Sequence, residues 1–319
     1  MKFERPVEKW PASICSVTIG PSGAEAGGGK RSVTVGGEGA LPFLALEGPL
    51  PHRPALALEV RDTLPDWPQV LLESLGPTCR DPVAWARRCE EEWGAELICL
   101  RLSGASPEGK NKGVSEVVAL VRDLSGAVQS PLIVLGCGDA EKDNALFPKV
   151  AETLAGQRCL LGPVTKDNYK TIAAAAMANG HSVIAQSPVD VNIQKQVCIL
   201  LEEVGVKQER IVLDPTTGGL GYGLEYTYSV MERIRLAALQ GERNLASPLI
   251  VFPGSEAWRA KEAAQAAQGG GPVQGVVWEL LTASTLAQAG ADLLVLLDPR
   301  AAAALREHLG RLWKGGEAA

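Results

Sequence analysis

The stretch Leu213–Arg235, LDPTTGGLGYGLEYTYSVMERIR, concentrates the residue types that matter most for this chain. An apolar run ends in Asp214-Pro215, two hydroxyls follow at Thr216 and Thr217, and Gly218, Gly219, Gly221 and Gly223 then remove side chains over one short arc. Glycine admits positive φ and lets a ligand or another backbone come close. The hydroxyls donate or accept hydrogen bonds. A bare shelf of this kind suits a large flat ligand with a polar fringe, or a partner protein, better than it suits proton abstraction or nucleophilic attack. The competing reading is a loop whose glycines only make turns. The lack of Ser-rich or charged filler and the ordered run that follows count against it.

Elsewhere the usual catalytic groups are sparse. The three histidines are His52 in a Pro-rich loop, His181 just before an apolar run, and His308 near the end of the chain, none placed as a base or ligand. Seven cysteines, Cys15, Cys79, Cys89, Cys99, Cys137, Cys159 and Cys198, are scattered with no CxxC pair. That spacing suits neither a disulfide framework nor a zinc or iron–sulfur site. Most read as small core hydrophobes; Cys137 stands apart, at the end of an apolar run in VLGCGD. There is no P-loop, GxSxG or HExxH.

The elements that must position these residues repeat. Eight near-continuous apolar runs begin at Ala55, Glu96, Pro131, Cys159, Ser182, Arg210, Leu249 and Ala291. Continuous rather than alternating apolarity is the mark of parallel strands covered on both faces. Amphipathic stretches fill the gaps. Asp81 with Pro82 predicts a capped helix start and Gly94 its stop, while Asn179-Gly180 predicts a left-handed end. Two helices, around 256–267 and 276–289, fit between the last two runs, separated by QGGGP. Eight strand–helix units predict an α/β fold, a (β/α)8 TIM barrel over residues 51–319. A doubly wound open sheet is the alternative, weakened by the absence of GxGxxG in a first βαβ unit. Residues 1–50 do not fit the repeat. They predict an N-terminal arm with a β-hairpin extension, Val17–Gly20 and Ser32–Gly37 around a Gly-rich turn, closing the barrel's bottom.

In such a barrel function collects where the strands end. Those ends offer Glu59, Arg61 and Asp62; Arg101 and Ser103; Gly136, Cys137 and Asp139; Thr165, Lys166, Asp167 and Asn168; Gln186 and Ser187; Asp214 with the glycine loop; Pro253, Gly254 and Glu256; and Asp298. The carboxylates invite acid–base chemistry. Asp167 and Asp298, however, stand where helix caps belong, and Asp214-Pro215 suits a turn. Asp62 is the least explained.

With 319 residues, 46% hydrophobic and 21% charged, the chain can bury a sizeable core. A net charge of −6 argues against a general nucleic-acid or anionic-membrane binder. The opening MKFERPVEKWPAS has no apolar signal segment and no run has membrane-spanning length, so a cytoplasmic protein is expected.

The stretch DPTTGGLGYGLEYTYSVMERIR closely resembles the signature of the small (delta) subunit of the corrinoid iron–sulfur protein of the acetyl-CoA decarbonylase/synthase system. PALALEVRDTLPDWP, PVAWARRCEEEWGAELICLRL and GVVWELLTASTLAQAGADLLVLLDP are similar to the same family, as is the N-terminal VTIG…RSVTVGGEGALPF. The resemblance implies a barrel in a heterodimer with a larger subunit that carries the iron–sulfur cluster and a corrinoid-binding domain. The corrinoid, a cobalamin-type cofactor, lies between that domain and the top of this barrel. Its cobalt accepts a methyl group through a methyltetrahydrofolate methyltransferase and passes it to acetyl-CoA synthase, in the reductive acetyl-CoA route of anaerobes; both enzymes are transient partners. The family signature carries Thr216, Thr217, Gly218, Gly219 and Tyr222 over as corrinoid contacts. Gly136, Lys166, Asn168 and Gln186 join them from rim position alone. A different reading is a stand-alone pterin-dependent methyltransferase using Asp62 and Asn168, and a third is a scaffold barrel with no ligand.

Overall fold

The computed structural model describes residues 6–21, 30–264 and 273–317. Ten strands are present among the described residues. β1 (Ser16–Ile19) and β2 (Val33–Gly36) pair antiparallel as the predicted hairpin; its Gly-rich turn lies outside the described residues. The next eight are β3 (Ala55–Arg61), β4 (Leu97–Arg101), β5 (Leu132–Leu135), β6 (Leu160–Val164), β7 (Ser182–Gln186), β8 (Ile211–Asp214), β9 (Leu249–Val251) and β10 (Ala291–Leu296). They pair in sequence order and close through β10 onto β3 as a parallel barrel. Each of the eight apolar runs supplies one barrel strand. The fold is the expected (β/α)8 barrel.

Local signals hold at several helix ends. Asp81 caps the helix Pro82–Glu91 by accepting from the Val83 and Ala84 amides, and Gly180 ends the helix Tyr169–Asn179 at φ 76°. Asp298 likewise accepts from the Arg300 amide at the start of the helix Pro299–Glu317. Asp167 does not cap its helix: Asn168 holds the cap position, and its side chain turns back to the loop instead. Past β9 the expected helix at 256–267 is broken into Pro253–Ala257 and Lys261–Ala264, then Val273–Gln288 follows; residues 265–272 lie outside the described ones.

Two apolar cores result. The larger lies between the barrel wall and its helices. The smaller fills the barrel lumen with Ala55, Ala57, Leu97, Cys99, Ile133, Leu160, Ile184, Val212, Ile250 and Leu293, and Val17, Ile19 and Val35 of the hairpin join it. The hairpin hydrogen-bonds to Arg158 and Ala246, which precede β6 and β9. It therefore plugs the end of the barrel opposite the strand termini. Five cysteines are buried, Cys79, Cys89, Cys99, Cys159 and Cys198, as small core groups. His181 sits at the same lower end; its Nδ1 accepts from the Cys159 amide at 3.1 Å and its Nε2 meets the Ala151 carbonyl at 2.9 Å. Burial lowers its pKa, so it is a neutral structural imidazole.

Candidate functional site at the barrel mouth

Side chains along a strand alternate between faces. In β3 the lumen face carries Ala55, Ala57, Glu59 and then Arg61; in β4 it carries Leu97, Cys99 and Arg101; β7 ends on Gln186 and β8 on Asp214. The apolar plug thus gives way to a polar layer at the C-terminal end. Above it opens a cavity of about 940 Å³. Arg61, Arg101, Gln186, Asp214, Thr216 and Thr217 line it, with Trp67, Phe252 and Trp258 as aromatic walls.

Glu59 organises this layer. It is 1% exposed and accepts from Arg61 Nε at 2.6 Å, Arg101 Nε and Nη2 at 3.0 Å each, and Ser255 Oγ at 2.9 Å. Burial alone would raise its pKa, but the two guanidiniums outweigh that and hold the carboxyl down at about 2. Arg61 also lies over the Trp67 ring at 4.9 Å, and Arg101 over Phe252 at 5.5 Å. Asp214 is buried with weaker compensation, from the Gln186 amide at 2.7 Å and the Thr216 amide at 2.9 Å. Its carboxyl is pushed up to about 6 by burial.

The candidates from the sequence separate here. Gln186, Thr216 and Thr217 line the cavity. Thr216 adopts φ 62° and donates its hydroxyl to the Ser187 carbonyl, while Thr217 Oγ accepts from the Phe252 amide. Gly136, Lys166, Asn168, Gly218, Gly219 and Tyr222 are not among the residues lining the cavity. Asn168 accepts from the Thr165 amide and donates to the Pro163 carbonyl, a closed local turn. Lys166 is exposed. A Cβ on Gly136 would meet the Asp143 carboxylate at 2.4 Å. That carboxylate also takes the Cys137 and Gly138 amides and faces Cys137 Sγ at 3.3 Å. Burial raises the Cys137 thiol to about 11, so it stays protonated.

The glycine arc makes its close approaches within the chain. A Cβ on Gly218 would stand 2.4 Å from the Gly223 carbonyl oxygen, and one on Gly219 would stand 3.2 Å from that of Glu256. Gly221 and Gly223 supply left-handed turns at φ 76° and 93°. The loop is pinned by Leu220, whose amide donates to Thr282 and whose carbonyl accepts from Trp278, and by Tyr222, whose hydroxyl donates to Glu262. Gly218→Ala is therefore expected to lower stability by ~1–3 kcal/mol through backbone overlap. Gly221→Ala has open space around it and bears only the left-handed backbone strain of ~1–2 kcal/mol. Thermal unfolding of the two variants measures both effects, and equal small losses would show that the arc does not pack as described.

Asp62, unexplained in the sequence, lies behind the wall. Its Oδ1 accepts from the Gly104 amide at 2.8 Å, and Lys112 stands 3.3 Å from Oδ2. The sequence named neither Ser255 nor the aromatic walls, and it put Arg61 and Arg101 on the rim without marking them as ligand contacts. The two arginines stood at strand ends, but nothing local indicated that one carboxylate would gather both. Among the described residues no group of three or more His, Cys, Asp or Glu side chains is placed to hold a metal ion, and no helix is long and apolar enough to cross a membrane.

Comparison with known proteins bears on this mouth. A family model described as the CO dehydrogenase/acetyl-CoA synthase delta subunit matches residues 16–307. The acetyl-CoA decarbonylase/synthase complex subunit delta of Archaeoglobus fulgidus is 36% identical over 98% of this chain and 71% of its own. That of Methanopyrus kandleri is 38% identical over 95% and 76%. Among solved structures, dihydropteroate synthase from Xanthomonas albilineans superposes with a TM-score of 0.58 at 17% identity, over 87% of this chain and 98% of the other. The Coxiella burnetii enzyme gives 0.59 at 11% identity, over 95% and 99%. At such identities these structures speak to the barrel alone.

Proposed function

The chain belongs to the CO dehydrogenase/acetyl-CoA synthase delta-subunit family, and from that premise we propose that it is the small subunit of a heterodimeric corrinoid iron–sulfur methyl carrier. In this reading a larger partner subunit holds the iron–sulfur cluster and the corrinoid, and the open mouth of this barrel covers one corrinoid face. The heterodimer works in the cytoplasm. It takes a methyl group through a methyltetrahydrofolate methyltransferase and passes it to acetyl-CoA synthase. The single observation that carries the reading is the family match, which spans the hairpin and all eight barrel strands.

The mouth suits that role. A corrinoid has broad faces and an amide fringe; Gln186, Thr216 and Thr217 offer hydrogen-bonding groups at the cavity wall, and Trp67, Phe252 and Trp258 offer apolar surface. None of the three histidines lines the cavity, and the groups that would meet the corrinoid are the hydrogen-bonding and aromatic side chains of the wall. When bound, the corrinoid's cobalt supplies the methyl-transfer chemistry. The buried carboxylates of the mouth are both engaged, Glu59 by three groups and Asp214 by two, which fits a surface that orients and excludes water. Asp62 and Asn168, on which a stand-alone pterin methyltransferase would rely, are both engaged, Asp62 by the Gly104 amide after β4 and Asn168 within its own turn.

Co-expression with the large subunit tests this. A stable 1:1 complex coloured by corrinoid is expected. Gln186→Ala, at the cavity wall, and Tyr222→Ala, on the signature loop, should each reduce the corrinoid retained per heterodimer several-fold while the barrel stays folded. Unchanged corrinoid content in both variants, or methylation of free corrinoid from methyltetrahydrofolate by this chain alone, would overturn the reading.

A further inference from the structure

The floor of the cavity holds two guanidiniums, Arg61 and Arg101, beside the open space. Glu59 uses both oxygens on Arg61, Arg101 and Ser255. Arg101 spends its side edge, Nε and Nη2, on that carboxylate, and Arg61 spends Nε there and Nη2 on Ser255 at 3.3 Å. Neither Nη1 has a hydrogen-bond partner among the described residues, and both arginines line the cavity. One ionised carboxylate thus fixes two guanidiniums whose outer edges remain open. Their orientation is locked further by the rings of Trp67 and Phe252. A guanidinium edge matches the two oxygens of a carboxylate in shape and charge.

We propose that this floor is a binding site for a small monocarboxylate, with its carboxylate against the open edges of Arg61 and Arg101 and its apolar body along Trp67 and Phe252. The charge count selects a monoanion: with a proton on Asp214, two guanidiniums and one Glu59 carboxylate leave an excess of one, and with Asp214 ionised the floor is neutral. Asp214 shares the floor. Charged groups face it from two sides, Arg101 on β4 and Glu256 on the helix Pro253–Ala257; Gln186 and the Thr216 amide complete its surroundings. Glu256 is itself paired with Arg259. A bound anion favours a proton on Asp214, so affinity rises as pH falls toward 6. The site is a property of this chain alone and does not depend on the corrinoid reading.

Benzoate and inorganic phosphate, titrated separately into the full chain, test it by calorimetry and tryptophan fluorescence. Benzoate should bind saturably, more tightly at pH 6 than at pH 8. Arg61→Gln should weaken it roughly tenfold or more, the loss of one charge-assisted hydrogen-bonding group, and Arg311→Gln, on an exposed helix face, should leave it unchanged. Trp67→Leu keeps both guanidiniums and should weaken benzoate without affecting phosphate, which covers the case that Arg61→Gln does not fold. No saturable benzoate binding, equal binding by Arg61→Gln and the parent, or tighter binding of phosphate than of benzoate would each overturn the proposal.

Discussion

Replacing Glu59 with alanine is expected to lower the stability of the barrel by about 3–5 kcal/mol, because it leaves two half-buried guanidiniums without their shared, buried counter-charge. Arg61 and Arg101 have side-chain exposures of 14% and 26%, too little for water to take over the carboxylate's role. Glu59→Gln keeps the shape but removes the charge, and should fall between the alanine variant and the parent. The pH dependence has a definite sign. The folded carboxyl titrates at about 2 against an ordinary value of 4.5. Its stabilisation is therefore fully present above 4.5 and is lost as pH falls from 4.5 through 2. Urea unfolding at pH 7 and pH 3 checks both statements: the gap between Glu59→Gln and the parent should narrow at the lower pH. A gap that is constant or widens would mean that Glu59 is not the charge that holds this layer.

An effect of similar size is expected at the opposite end of the barrel. Arg235, 2% exposed on the helix Leu224–Leu239, donates to Glu38 at 3.2 Å, to Asp292 at 2.8 Å and to the Gly290 carbonyl at 2.6 Å. Asp292 also accepts from the Leu249 amide. One guanidinium thus joins the N-terminal arm, the foot of β9, the foot of β10 and the helix that follows the glycine loop. Arg235→Leu should cost about 3–5 kcal/mol by leaving Glu38 and Asp292 facing each other in a buried site. Burial first, and then the Asp292 charge, raise the Glu38 carboxyl above its ordinary 4.5. The folded state consequently holds that proton to higher pH than the unfolded chain, and stability declines as pH rises from 4.5 through the raised value. Without Arg235 the value rises further. The deficit of Arg235→Leu should therefore be smaller at pH 5 than at pH 8, read by denaturant unfolding at the two pH values. An equal deficit at both would remove the charge from the explanation and leave only lost packing.

The barrel and its boundaries were legible in the sequence because they rest on local chemistry. A parallel strand covered on both faces must be apolar throughout, and eight such runs separated by amphipathic stretches admit few arrangements. Asp81 and Gly180 act within a turn of their own position, so their roles were readable too. The same double burial hid the site. Where both faces of a strand are apolar, alternation no longer marks which residues point into the lumen; only closure of the barrel in its particular register sends Glu59, Arg101, Gln186 and Asp214 inward while Asp62 goes to a loop. The glycine loop was conspicuous for the same reason it was ambiguous. A missing side chain signals a close approach without naming what approaches, and here Gly218 meets Gly223 while Gly219 meets Glu256. Pairings of Glu59 with Arg101, or of Arg235 with Glu38, join residues far apart in the chain, so the charges were determined by the sequence and their partners by the fold.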